Sequence, residues 1–449
     1  MTRSKKLRVE WLLGGLLVFL VVFVLISGAV AQEKIKIGVS GPMKFQWGKS
    51  QLAAAQVAAE EINASGGILL GGKKRQIELI NSDSNEYQSV VDAVSSLKRL
   101  VTVDKVNFLI GGARSEAVLA QQELLPDYRT IYLFCGGGSP ALHASLSKSY
   151  DKYKYFFNMF PVSIFNFKSN CAVLEMAAGK IRRELGVAKP RVAIVMEKAK
   201  WTDAVVDASL AILPKLGMEI SGVWRPSAFA SDVSSEITAL KAAGTHIIYE
   251  MFTGPAGMIL NKQVSELQVP VVVIGVNAEG EVGNRYWKET QGMCEYETII
   301  AAGYSDLQVT EKTIPAHNKI FSKLGGLTPT VSGFMAYDAV YLIKDAVEKA
   351  GTLENDALIA QMEKSNLVGT QGMVAFYPKD HKLCHNVKWA PGYYTIPLFQ
   401  FQGGKMAGIW PSGHSPNAAI EAGPGWEGFR YKGTQEFKLP PRMVKYWKK

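Results

Sequence analysis

The stretch IKIGVSGPMKFQWGKSQLAAAQVAAEEINASGG, residues 35–67, decides the fold. Ile35–Ser40 is short, apolar and β-branched, the pattern of a buried strand. The Ala- and Glu-rich run from Gln51 to Asn63 reads as a helix that stops at Ser65-Gly66-Gly67. A strand leading directly into a helix is half of a crossover unit, and the unit recurs on working outward. QIELIN (76–81) is the next strand. A helix over 86–103 follows, with Val90, Val91, Val94, Leu97, Leu100 and Val101 on one face. Then come FLIG (108–111), a helix over 115–125, and TIYLF (130–134). The rhythm stalls at 136–160 and restarts with a helix over 164–185. Strands 192–196, 219–224, 246–252 and 271–275 then alternate with helices 202–216, 232–243 and 255–267. Two such runs imply an α/β fold of two lobes, each a mostly parallel sheet covered by helices on both faces.

Beyond Thr298, helices are expected over 311–324, 332–350 and 355–365, then extended pieces over 373–378 and 394–401. The tail from Trp410, rich in Pro, Gly and aromatic residues, is expected to pack on the lobes. A length of 449 residues suits two domains. With 47% hydrophobic and 20% charged residues, the composition excludes a polytopic membrane protein and a disordered chain.

The N-terminus carries Arg3, Lys5, Lys6 and Arg8 against one acid, Glu10. An apolar run over Trp11–Ile26 and the triplet Ala29-Val30-Ala31 follow. Residues 1–31 read as a secretory signal peptide with cleavage before Gln32; the competing reading is an uncleaved anchor that tethers the chain. Either way the chain is exported, to the periplasm or the extracellular space. The net charge of +10 is spread thinly and lacks a basic-aromatic motif, so nucleic acid is not an expected partner. Cys135, Cys171, Cys294 and Cys384 leave three full pairings open. If a disulfide forms, Cys294–Cys384 is the least awkward, since Cys135–Cys171 would tie the lobes together.

In open parallel sheets, ligands bind beyond the carboxyl ends of the strands, where loops and helix N-termini expose backbone N–H groups. That rule selects the loops 41–48, 112–116, 135–140, 197–201, 252–254 and 277–280. Several combine Gly with Ser at a helix start, which suits an anionic group. Ser115 and Ser139 can cap helices or donate to a ligand. Each loop alone could be an ordinary turn; their convergence on one edge points to a site. No Gly-x-Ser-x-Gly elbow or phosphate-binding loop occurs, and Gly136-Gly137-Gly138, which follows a strand, lacks the G-x-G-x-x-G spacing of a dinucleotide loop, which argues against an enzyme. His381-Lys-Leu-Cys384-His385 has zinc-like spacing but falls between extended segments, so it is read as surface or capping chemistry. No metal or cofactor is expected.

The opening IKIGVSGPM…QWG…AAAQVAAEEINASGG closely resembles the branched-chain amino acid type of periplasmic binding proteins of ABC importers. So do FLIGGARSEA, WTDAV after VAIVMEKAK, and FMAYDAVYLIKDAVEKAG. The resemblance runs along essentially the whole chain after the signal. It implies two lobes joined by three crossings near Phe156–Pro161, Thr298–Gly303 and Gly369–Ala375. Lobe one is then 33–158 plus 302–370, lobe two 159–300 plus 374–409, and the tail 410–449. It also implies a ligand sealed between the lobes of a monomer, with Trp47 and Trp201 covering it. Ser115, Gly138 and Ser139 would hold its carboxylate and amine, with Thr253 and Gly254 where the family often has an aromatic residue. Asn277 falls on the family's acid for the ligand ammonium. That departure implies a carboxylate or amide other than leucine, isoleucine or valine, unless Glu279 or Glu197 reaches in. The implied partners are a small-molecule solute and the permease and ATPase subunits of an importer. A sensor feeding a partner receptor or regulator is the rival reading.

Overall fold

The computed structural model describes residues 33–301, 306–412 and 428–448. The basic N-terminus, the apolar run and the expected cleavage point before Gln32 lie outside the described residues. The chain forms two lobes, each with its own sheet. In the first, the spatial order is Ile77–Asp83, Ile35–Gly41, Phe108–Gly111, Ile131–Phe134 and Phe156–Asn158, all parallel. The second has five parallel strands: Glu219–Trp224, Arg191–Met196, Ile247–Phe252, Val272–Asn277 and Thr298–Ile300. An antiparallel hairpin, Leu398–Gln402 and Lys405–Trp410, extends it. The central strands are buried along their whole length, as unbroken apolar runs require when helices cover both faces.

Two helices depart instructively from the sequence reading. The first spans Gln46–Ala64, beginning five residues before the expected start. Its N-cap Phe45 offers no side-chain bond, so the start carries no capping signal. A Cβ on Gly48 would come within 2.5 Å of the Pro42 carbonyl, so glycine permits this close entry. The early start places Trp47 in the first helical turn. The helix Val90–Thr102 begins where the Ser89 hydroxyl accepts from Asp92 N. Val90 and Val91 are therefore exposed at its first turn, contrary to the expected apolar face. Ala93, Ser96, Leu97 and Leu100 are the buried set.

Phe156–Asn158, at the edge of the first sheet, leads into the helix Ser163–Leu185, and Thr298–Ile300 is the last of the parallel strands of the second sheet. Residues 385–387, within the 374–409 expected in lobe two, instead pair with the edge of the first sheet. Asn158 N donates to His385 O at 2.9 Å, and Val387 N donates to Asn158 O at 2.9 Å. An open strand edge needs backbone partners, and this segment supplies them. The chain pairs with the second sheet from Leu398 onward. The final helix, Pro441–Trp447, lies against lobe two: Trp447 Nε1 donates to Pro270 O at 2.8 Å. Lys180 pairs with Glu436 at 2.5 Å on the same lobe. All four cysteines are buried free thiols, so the Cys294–Cys384 bond is not formed. Cys294 accepts from Thr290 Oγ1, whereas Cys384 sits in the segment beside His143 on lobe one.

Asp338 fastens the crossing region to lobe one. Buried on the helix Val331–Ala350, it accepts from Thr370 N (3.0 and 2.8 Å), Thr370 Oγ1 (2.8 Å) and Tyr394 Oη (3.1 Å). Replacing it by alanine strands these donors. Asp338→Ala is expected to lower the unfolding free energy by about 3 kcal/mol in urea titrations, with the lobes still folded.

Candidate ligand-binding cleft

The loops after the strands of both sheets converge on a cavity of about 40 Å³ between the lobes. Lobe one supplies Trp47, Tyr87, Arg114, Gly137 and Gly138; lobe two supplies Glu197, Trp201, Thr253, Ala278 and Glu281. The run Gly136-Gly137-Gly138 has a steric cause. A Cβ on Gly136 would lie 2.3 Å from Gly112 O, one on Gly137 2.5 Å from Ser115 Oγ, and one on Gly138 2.9 Å from Ser163 N. Only side-chain-free backbone fits between the neighbouring loop and the next helix, and it thereby becomes cavity wall.

Buried carboxyl groups organise the rest. Glu86 accepts from Ala113 N (2.9 Å) and Arg114 N (2.7 Å), fixing the loop that carries Arg114. Burial raises its pKa above the usual carboxylate range, against the pull of these bonds. Glu197 accepts from Trp201 Nε1, Thr253 N and Thr253 Oγ1, each at 2.7 Å. It thus holds one aromatic wall and one loop together, and burial raises its pKa too. The Arg114 guanidinium donates to Tyr87 O at 3.1 Å and lies 3.5 Å from Glu116. Trp47 Nε1 is a buried donor with no hydrogen-bond partner among the described residues.

Contacts across the lobes close the cleft. Glu116 Oε1 accepts from Lys200 N at 3.1 Å, and Glu281 Oε2 accepts from Val331 N at 2.7 Å. Phe45 meets Phe229 edge-on at 6.4 Å. Val331 opens a lobe-one helix, so Glu281 places its carboxyl at that helix N-terminus, where negative charge is favoured. Burial dominates nonetheless and pushes the Glu281 carboxyl up to about 8.

Of the residues singled out from the sequence, Trp47, Gly138, Trp201 and Thr253 line the cavity. Ser115, Ser139, Gly254 and Asn277 do not. The Ser115 hydroxyl sits behind Gly137 and accepts from Ser139 N at 3.3 Å. Ser139 caps the short turn Pro140–His143 through Ala141 N. A Cβ on Gly254 would meet Ala228 O at 2.3 Å, so this glycine serves packing. Asn277 turns into lobe two, donating to Tyr286 Oη (3.0 Å) and Glu297 Oε1 (2.8 Å). Glu279, considered as a substitute acid, pairs with Arg285. Tyr87 and Glu281 fall outside the loops selected from the sequence, and Arg114 falls inside the selected loop 112–116 with no role assigned to it. Glu281 stands one residue past the selected loop 277–280, and its acidic side chain at a strand's carboxyl end was the available signal. The run His381–His385 serves separate partners: His381 Nδ1 accepts from Leu383 N, and His385 bridges Phe156 O and Glu363.

The raised Glu281 pKa carries a sign. A carboxyl held above its unfolded value near 4.5 stabilises the fold most below that pH, and the contribution fades as pH rises through about 8. Between pH 5 and pH 8 the melting temperature of the wild type should fall more than that of Glu281→Gln, which keeps an acceptor for Val331 without titrating. Parallel pH profiles by differential scanning fluorimetry check this.

The family model for periplasmic binding proteins matches residues 34–390. A Leu/Ile/Val-binding protein of Rhizobium johnstonii is 24% identical over 340 residues, covering 74% of this chain and 83% of its own. Among solved structures, the branched-chain amino acid transporter substrate-binding protein LivJ of Streptococcus pneumoniae, in complex with isoleucine, superimposes with a TM-score of 0.67. It is 19% identical and covers 83% of this chain and 98% of its own. An ABC transporter solute-binding protein of R. palustris, in complex with benzoate, gives 0.66 at 15% identity, covering 84% and 96%. The proteins it is similar to carry the names of solute-binding proteins, and the match over residues 34–390 shows that the chain belongs to the periplasmic binding protein family.

Proposed function

We propose that this chain is exported, captures a small α-amino-acid-like solute between its lobes, and delivers it to the permease and ATPase subunits of an ABC importer. The observation that carries the reading is a cavity walled by both lobes and provided with opposite chemistries. Arg114, the Gly137–Gly138 backbone and the indole N–H of Trp47 suit a carboxylate. Glu281, on the opposite lobe, suits an ammonium group. Trp47 and Trp201 offer flat apolar faces for the ligand body.

This reading revises the inference drawn from Asn277. Because that side chain faces the interior of lobe two, its lack of charge does not weigh against an amino acid. The carboxyl of Glu281 stands in the cavity instead. Hinged closure follows from the arrangement, since only the closed form contacts a ligand from both lobes. Relatives named for leucine, isoleucine and valine, and a neighbour holding isoleucine, support the amino-acid class.

Titration calorimetry with leucine and with 4-methylpentanoate, the same skeleton lacking the amine, tests the assignment. Leucine should bind about tenfold more tightly to the wild type, and the advantage should collapse in Glu281→Gln. Because Glu281 holds its proton until about pH 8, an arriving ammonium should displace it. Leucine binding at pH 7 should therefore release a proton, visible as a heat that depends on buffer ionisation. Equal affinity for the two compounds, or no binding of either, would sink the reading.

A further inference from the structure

The inner cavity does not end at Thr253. Tyr87, Arg114, Glu197, Ala199 and Thr253 are shared with a second chamber that opens toward solvent and measures about 400 Å³, against about 40 Å³ inside. Its further walls include Lys198, Arg225 and Phe229. We propose that this antechamber is a subsite for the distal end of the ligand, and that this end carries a carboxylate.

Charge argues for it first. Arg114, Lys198 and Arg225 face the chamber, against a single acidic wall residue, Glu197. Both oxygens of Glu197 are already taken by Trp201 Nε1, Thr253 N and Thr253 Oγ1. Arg114 pairs with Glu116 and Arg225 with Asp203, so Lys198 is the chamber cation without an acidic partner among the described residues. Position comes second. Arg225 is anchored by Met196 O (3.2 Å), Glu197 O (3.1 Å), Thr202 Oγ1 (2.8 Å) and Asp203 (3.0 Å). Its head is held in place before a ligand arrives, as an anion subsite requires. Shape comes third. Phe45 packs edge-on against Tyr87 at 4.8 Å and against Phe229 at 6.4 Å, forming an aromatic bridge between the lobes near the mouth. Phe229 is 43% exposed, an apolar surface that an elongated ligand body would cover. A linear amino acid with its head group inside would thus pass Tyr87 and Thr253 and bring a terminal carboxylate to Lys198 and Arg225.

The inference rests on the cleft being an amino-acid site, and matched probes separate the two. Calorimetry at low ionic strength compares 2-aminohexanoate with 2-aminoadipate, which differ by the terminal carboxylate. The wild type should bind 2-aminoadipate roughly tenfold or more tightly than 2-aminohexanoate. The ratio should fall toward unity in Lys198→Gln and reverse in Lys198→Glu. Lys198 is exposed, so both variants should fold; circular dichroism confirms it. Binding of 2-aminohexanoate with no gain from the second carboxylate overturns the subsite and leaves the proposed function standing. A gain that survives both Lys198 variants also overturns it. Binding of neither compound overturns the amino-acid reading, and the subsite falls with it.

Discussion

The hydrogen bond from Val331 N to Glu281 is the constraint on which the rest of the cleft depends. It joins the loop after a central strand of one lobe to the first residue of a long helix in the other. One group thereby performs two tasks. It satisfies an N–H that the start of a helix would otherwise leave orphaned, and it brings a carboxyl to the wall of the shared cavity. Its electrostatics are balanced between opposing effects, because the helix terminus favours the charged form while burial opposes it. Burial prevails in the closed state. A ligand cation at the same place would reverse that balance, which couples the closed cleft to what it holds.

The remaining site residues are held in turn by buried acids. Glu86 fixes the loop bearing Arg114, and Glu197 fixes Trp201 and Thr253. Neither is free to move without exposing its donors. This is the difference between a cavity formed by chance packing and one whose walls are individually tied down. Close approach of backbone at Gly136, Gly137 and Gly138 completes the wall, since a side chain at any of these positions would collide with a neighbouring loop or helix.

The architecture was legible because strand and helix periods are local properties. Phe108–Gly111 and Ile131–Phe134 could be read directly from apolar runs bounded by turns. The exits of the chain were less so. Residues 385–387 lie beside Asn158, more than two hundred positions earlier in the chain, and no local pattern encodes such a pairing. Trp47 and Trp201, which the family resemblance put over the ligand, line the cavity. Side-chain direction was not legible in the sequence. Asn277 is the last residue of its strand, and whether it faced the cleft or the lobe depended on Tyr286 and Glu297, which lie 9 and 20 residues further on. Ser115 was chosen for its hydroxyl, yet the approach of Gly137 puts that hydroxyl behind the wall.

The central claim is that the cleft holds a small solute and leaves it chemically unchanged. Native mass spectrometry of the protein purified under mild conditions addresses it directly, with the bound molecule then released by denaturation and identified. The account predicts one small amine- and carboxylate-bearing molecule per chain, released intact and absent from a Trp47→Ala, Trp201→Ala double variant that still folds. A cleft that retains the same molecule after both tryptophans are removed, or one that releases it chemically altered, would contradict it.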